Sequence, residues 1–198
     1  MNAFINGALI GVTLGLLYSF FFWPIVAWIV TRDRIFQALY RRAEKTPYWD
    51  LDGYMRRWWL FNPINTKYEH VSTTMVDGKP FIEVREVKTA KYPWCPVSAR
   101  MHHILRADHA RDKHNHPGTF RTIVGKGWYE EQRDTGTFLR KKGDTAVLGA
   151  DEFHHVSEVS PGGVWTIFIM WDWRATWGFR KPDGTVVPHQ DYHNGGMP

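Results

Sequence analysis

Two textures of hydrophobic patterning divide the chain. From Ile5 to Val30 the residues run INGALIGVTLGLLYSFFFWPIVAWIV without a charge, longer than the ~20 apolar residues a helix needs to cross a bilayer core. This pattern predicts one transmembrane helix over residues 1–31, with Pro24 near its C-terminal end, where a kink is tolerated. From Thr31 to about Lys45, Ile35, Phe36, Leu39 and Tyr40 interleave with Arg34, Arg41 and Arg42. That spacing predicts an amphipathic helix lying on a membrane surface or continuing the span. Thr46-Pro47 breaks it, and Tyr48 to Asn62 reads as an aromatic linker, so residues 32–66 form a basic juxtamembrane segment.

From Lys67 the period shortens to two, and residues 67–198 read as a β domain. Strands are expected at 68–75, 81–87, 99–106, 120–124, 128–132, 136–140, 145–148, 155–159 and 164–170. Asp77-Gly78, Gly125 to Gly127, Asp134 to Gly136 and Pro161-Gly162-Gly163 separate them. Many short, regularly spaced strands predict a mainly β fold, a barrel or jelly roll.

Charge placement supports the membrane expectation. The mean hydropathy of -0.40 is that of a soluble protein, yet the first thirty-one residues contain no Asp, Glu, Lys, Arg or His. Much of the +5 net charge follows directly, in Arg32, Arg34, Arg41, Arg42, Lys45, Arg56 and Arg57. Basic residues on the C-terminal side of a span predict a single-pass membrane protein with a cytoplasmic C-terminal domain, and membrane lipid as a partner. The same placement argues against nucleic acid as the partner of the basic charge. A cleaved secretory signal fits less well, because the run lacks a basic start and a small-x-small cleavage pattern. Gly7, Gly11 and Gly15 recur every four residues, so other transmembrane helices could approach that face.

With Cys95 as the single cysteine, neither an intrachain disulfide nor a cysteine-rich zinc site can form, whereas ten histidines supply imidazole. The stretch DHARDKHNHPGTFRTIVGKGWYEEQ carries the candidate chemistry. Residues two apart on a strand share a face, so His114 and His116 present two imidazoles together, with Asp112 on that face if the strand begins there. His154 follows about forty residues later, as it would if an antiparallel strand returned past the first. Three neutral imidazoles suit a divalent transition metal, Fe(II) first, with Mn(II), Ni(II), Cu(II) and Zn(II) also accommodated. Histidine pairs also arise by chance among ten, and the adjacent pairs His102-His103 and His154-His155 point to opposite faces.

This arrangement resembles the two-motif signature of the cupin superfamily: HxH, then Gly127 a short strand later, then Gly143-Asp144 leading to a histidine. Over roughly residues 100–179, RMHHILRAD, HNHP, FRTIVGKGWYEE, LGADEFHHVSEVSPGGVWTIFI and WGF resemble small cupin-like proteins of tailed phages and bacteria. The resemblance implies a single cupin-type jelly-roll barrel with His114, His116 and His154 as metal ligands, and very little about substrate. Two departures stand out. The positions where cupins often carry a ligand glutamate hold Phe120 or Arg121, and Gly149 to Phe153 replace the usual proline turn. The site is then a three-histidine centre with open positions, or one completed by a carboxylate such as Asp112.

Arg121 could bind a substrate carboxylate or phosphate, or pair with Glu130 or Glu131. His103 and Tyr129 are candidates for acid–base or supporting roles. Nucleotide-binding glycine loops, GxSxG elbows and HExxH helices are absent from the sequence. Two functions are therefore expected: a membrane-anchored, Fe(II)-dependent dioxygenase or hydroxylase acting on a small molecule, or a non-catalytic docking module of a membrane assembly.

Overall fold

The computed structural model describes residues 21–48, 50–76, 79–108, 112–173 and 177–194. Two helices come first, α1 (Trp23–Val30) and α2 (Asp33–Ala43). The strands are β1 (Met55–Phe61), β2 (Ile64–Val76), β3 (Lys79–Ala90), β4 (Ser98–Ile104), β5 (Lys113–His114), β6 (Gly118–Lys126) and β7 (Trp128–Arg133). They continue with β8 (Gly136–Lys141), β9 (Thr145–Leu148), β10 (His154–Val159), β11 (Val164–Trp173), β12 (Gly178–Arg180) and β13 (Val186–Pro188), before a short α3 (His189–Asn194). Hydrogen bonding orders them into a five-stranded sheet β1-β4-β11-β6-β9, a six-stranded sheet β13-β12-β5-β10-β7-β8 and a separate β2-β3 ribbon. The pairings are antiparallel, as a jelly-roll architecture requires. The described strands form two main sheets and a ribbon, a mainly β fold as expected.

Strand alternation sorts side chains into two cores. Between the sheets, Ile104, Val124 and Val164 of the five-stranded sheet meet Tyr129 and Val156 of the other, and Phe120, Leu148, Phe168 and Met170 form a second cluster. On the outer face of the five-stranded sheet, Met101, Ile123 and Ile167 pack beneath Ala27, Phe36 and Ala43 of the helices. Phe36 seats because the residue near the C-terminal end of β6 is Gly125, where a Cβ would run into its ring. Gly125 is thus a packing glycine, whereas Gly127, at φ 78°, makes the turn into β7. Trp58, Tyr40 and Trp165 close the edge of the helix layer, with Trp58 stacked on Trp165 at 5.5 Å.

The expected single-pass membrane localisation with a cytoplasmic C-terminal domain is corrected here. Among the described residues no helix is long and apolar enough to cross a membrane. The part of the apolar run at residues 1–20, with Gly7, Gly11 and Gly15, lies outside the described residues. The described part of the run includes α1, Trp23–Val30. It ends at Thr31, whose hydroxyl donates to the Ala27 carbonyl at 2.7 Å. One face of α1 packs on the sheet through Trp23, Val26, Ala27 and Val30, while Ile25, Trp28 and Ile29 are exposed. The amphipathic helix forms as expected, with Phe36, Leu39 and Tyr40 packed in the cluster on the five-stranded sheet. The segment read as an aromatic linker supplies β1, paired with β4 from Met55↔Ile104 to Phe61↔Ala99.

Candidate metal centre

His114 and His154 meet because β5, only two residues long, is held between β10 and β12, with Cα registers His114↔His154 and His114↔Phe179. Asn115, buried between the two histidines of the HNH run, locks the turn. Its side-chain amide donates to the Ala150 carbonyl at 3.1 Å and its carbonyl accepts from the Gly178 backbone at 2.8 Å. His116 then falls on the same side as His114, and the nitrogens of His114, His116 and His154 lie within 4.8 Å of one another. His116 Nε2 and His154 Nε2 are 3.0 Å apart. Two ligands ~2.1 Å from one ion at a right angle would show about that separation. Phe120 borders the cluster, with ring centroids 4.5 Å from His116 and 5.7 Å from His154.

Behind the ligand nitrogens stand carboxylates. His154 Nδ1 lies 3.0 Å from Glu131 Oε1, so a proton on Nδ1 donates to the carboxylate and leaves Nε2 free for the ion. Glu131, 1% exposed, also accepts from Arg133 at 3.0 Å and from Arg140 at 3.1 Å. Burial alone would raise its pKa, but the hydrogen bond from His154, then Arg133, bring it down to about 2. Asp108 Oδ2 stands 3.6 Å from His114 Nδ1 and accepts from the Val156 backbone at 2.8 Å, while Oδ1 accepts from the Tyr54 hydroxyl. Burial, then His154, lower the His114 pKa to about 3, against a smaller opposing pull from Asp108. Burial, then His114, push His116 well below the usual imidazole range. Both rings are therefore neutral at pH 7, with lone pairs available to a cation.

The other expected site residues lie elsewhere. Asp112 is not grouped with the three histidines; its carboxylate accepts from the Tyr192 hydroxyl at 3.0 Å. Arg121 sits on the outer face of β6, its guanidinium over the Trp23 ring at 4.4 Å and donating to Thr145 Oγ1 at 3.1 Å. His103 is likewise on the outer face of its strand, stacked on Trp165 at 4.0 Å and donating to the Gly162 carbonyl at 2.9 Å. Tyr129 does face the space between the sheets, 3% exposed, its hydroxyl 3.3 Å from that of Thr122. Burial, then the Glu131 charge, raise its pKa, so it stays a neutral phenol.

The opposite parity of the His102-His103 pair is real, and the inward member is His102, stacked on Phe168 at 4.8 Å. Glu131 and Asp108 were in view in the sequence only as a partner for Arg121 and as the start of the histidine stretch. Their supporting positions become visible once β7 and β10 are in register, with His154↔Arg133 and Val156↔Glu131.

The residues present fit a divalent transition metal: imidazole nitrogens converge, two of the rings are held neutral, and a buried carboxylate fixes the tautomer of the third.

No family model matches the sequence, and no curated protein matches it. Solved structures do resemble the fold. A cupin-2 domain from Rhodospirillum rubrum aligns at TM-score 0.44 and 9% identity, over 70% of this chain and 75% of that one. A cupin 2 conserved barrel domain protein from Rhodopseudomonas palustris aligns at 0.43 and 10%, over 70% and 78%. KdgF from Halomonas sp. aligns at 0.37 and 13%, over 64% and 89%.

Proposed function

We propose that this cupin-like chain is a metal-dependent protein in which His114, His116 and His154 hold one divalent transition metal, Fe(II) first among them, for chemistry on a small molecule. The observation that carries the reading is the convergence of three imidazoles within 4.8 Å, with Glu131 behind His154 and no carboxylate in the group itself. An all-imidazole set leaves several coordination positions for exogenous ligands and suits Fe(II), Mn(II), Ni(II) or Zn(II). When bound, such an ion supplies Lewis-acid polarisation or, as Fe(II), one-electron chemistry with dioxygen. On this reading the reaction class is oxygenation or hydroxylation.

The chain's own residues have distinct parts. Glu131 and Asp108 orient the histidine rings, and Arg133 and Arg140 keep Glu131 ionised. Phe120 and Phe168, stacked at 4.5 Å, give the site an apolar wall that limits water at the reacting position. The neutral phenol of Tyr129 can donate a hydrogen bond within the same inter-sheet space.

Elemental analysis of purified protein after Fe(II) or Zn(II) loading and desalting tests the reading. About one ion per chain is expected for the native sequence and close to none for His116→Ala or His154→Ala. Equal metal content in the native protein and both variants would overturn it.

A further inference from the structure

The inward face of β4 carries three polar side chains in a row, two residues apart: Ser98, Arg100 and His102. Their exposures are 0%, 7% and 6%. Such groups are normally paired when buried, since an unmet donor costs ~1–3 kcal/mol and an unneutralised charge more. Yet Ser98 Oγ, Arg100 Nε and His102 Nε2 have no hydrogen-bond partner among the described residues. Among the described residues the one polar contact of the Arg100 guanidinium is the Met170 sulfur, 3.8 Å from Nη2, a weak acceptor.

What surrounds the guanidinium is aromatic: Phe168 at 5.1 Å, Trp59 at 5.2 Å and Tyr48 at 5.5 Å from its central carbon. These rings attract the cation through its charge, and among the described residues none of them is hydrogen-bonded to Arg100. Burial lowers the Arg100 pKa to about 10, so it remains protonated at neutral pH. Arg57, across the ladder from His102 on β1, has its own surroundings, with its guanidinium 4.7 Å over Tyr48 and its backbone bonded to Asp50.

The row lies beside the metal centre. Phe168 is the common neighbour, 4.8 Å from the His102 ring, 5.7 Å from the His116 ring and 5.1 Å from Arg100. We propose that Ser98, Arg100 and His102 form the anchoring subsite for the carboxylate of a small carboxylic acid whose other end reaches the three-histidine centre. The inference rests on the proposed function above and names its substrate class. One guanidinium matches one carboxylate charge and can bond both its oxygens side by side. A neutral His102, bearing its proton on Nε2, and the Ser98 hydroxyl are additional donors of the kind a carboxylate accepts. A phosphate dianion would bring a second negative charge that this row does not neutralise. The aromatic rings that surround the guanidinium suit an apolar body on the acid.

Benzoate, its neutral isostere benzamide, and inorganic phosphate serve as probes, each titrated into metal-free and zinc-loaded full-length protein. The readout is the Arg100 Nε–H nuclear magnetic resonance signal, assigned by its disappearance in Arg100→Met. Benzoate is expected to shift that signal saturably in both forms, at least ten-fold more tightly than benzamide or phosphate. It is also expected to stabilise the native protein but not Arg100→Met. Arg100→Met itself, relieved of an unneutralised buried charge, is expected to melt no lower than the native chain, whereas an arginine kept for structure would make it melt lower. A signal indifferent to benzoate, or moved equally by benzamide, overturns the inference. So does an Arg100→Met that melts lower than the native chain or does not fold. Zinc bound without a benzoate response would sink the subsite alone, and a benzoate response without zinc binding would sink the metal centre alone.

Discussion

The two faces of the five-stranded sheet are built to different ends. Its outer face is apolar, and the protein covers it with its own helices: Met101, Ile123 and Ile167 lie under Ala27, Phe36 and Ala43. Its inner face mixes an apolar core at Ile104, Val124 and Val164 with the row Ser98, Arg100 and His102, whose Oγ, Nε and Nε2 atoms have no hydrogen-bond partner among the described residues. Neighbouring residues on one strand show the contrast most sharply. His103 points outward to Trp165 and bonds Gly162, whereas His102 points inward to Phe168 and bonds nothing among the described residues. A face that completes itself serves stability. A face that leaves donors unmet beside converging imidazoles accepts a cost in stability in exchange for a place to bind something.

The largest effect is expected at the outer face. Phe36→Ala removes a ring that is 6% exposed and seated against Gly125, and a loss of about 3–5 kcal/mol in unfolding free energy is expected. Chemical denaturation measures it, and metal stoichiometry should not change. A variant that lost its metal while keeping its stability would show that the helix layer and the metal centre are not separable in this way.

The inner face should reveal itself through pH. His114, His116 and His102 are held neutral by burial, their pKa values below that of an unfolded histidine. Protons then bind the unfolded chain more readily than the native one as pH falls below ~6.5, so stability falls with falling pH. For His114 the loss continues down to about pH 3. Each such group contributes up to about 1.4 kcal/mol per pH unit inside its window. Denaturation of metal-free protein at pH 7.5, 6.5 and 5.5 should show little change over the first step and a decline over the second. Rising stability toward pH 5.5 would contradict the assignment of these rings as neutral.

A smaller effect is expected one layer behind the ligands. Glu131→Gln keeps the shape and an acceptor for His154 but removes the charge, and a loss in metal affinity toward the lower end of ~10–100-fold is expected. Competition with a chelator reads it, and unchanged affinity would mean that Glu131 serves the fold alone.

Much of the β architecture was legible because period-two alternation is a local property. The expected strands at 120–124, 128–132, 136–140 and 145–148 lie inside β6 to β9. β5 and β12 were not legible, since strands of two and three residues exist only through their neighbours. β1, MRRWWLF, has the composition of a membrane-interface segment and becomes a strand by pairing with β4. The apolar run posed the same difficulty on a larger scale. A helix that packs on a sheet through one face while leaving Ile25, Trp28 and Ile29 exposed is apolar all round, so its composition matches that of a span. At the site, the spacing of His114, His116 and His154 was legible. Which of His102 and His103 faces inward was not, because strand parity needs a register to fix it, and the isolation of Arg100 is a property of packing alone.

Anomalous diffraction from crystals grown with Fe(II) or Zn(II) tests the central claim most directly. One anomalous peak is predicted within ~2.0–2.2 Å of a nitrogen from each of His114, His116 and His154. A peak elsewhere on the chain, or three histidines that stay apart from a bound ion at full metal occupancy, would contradict it.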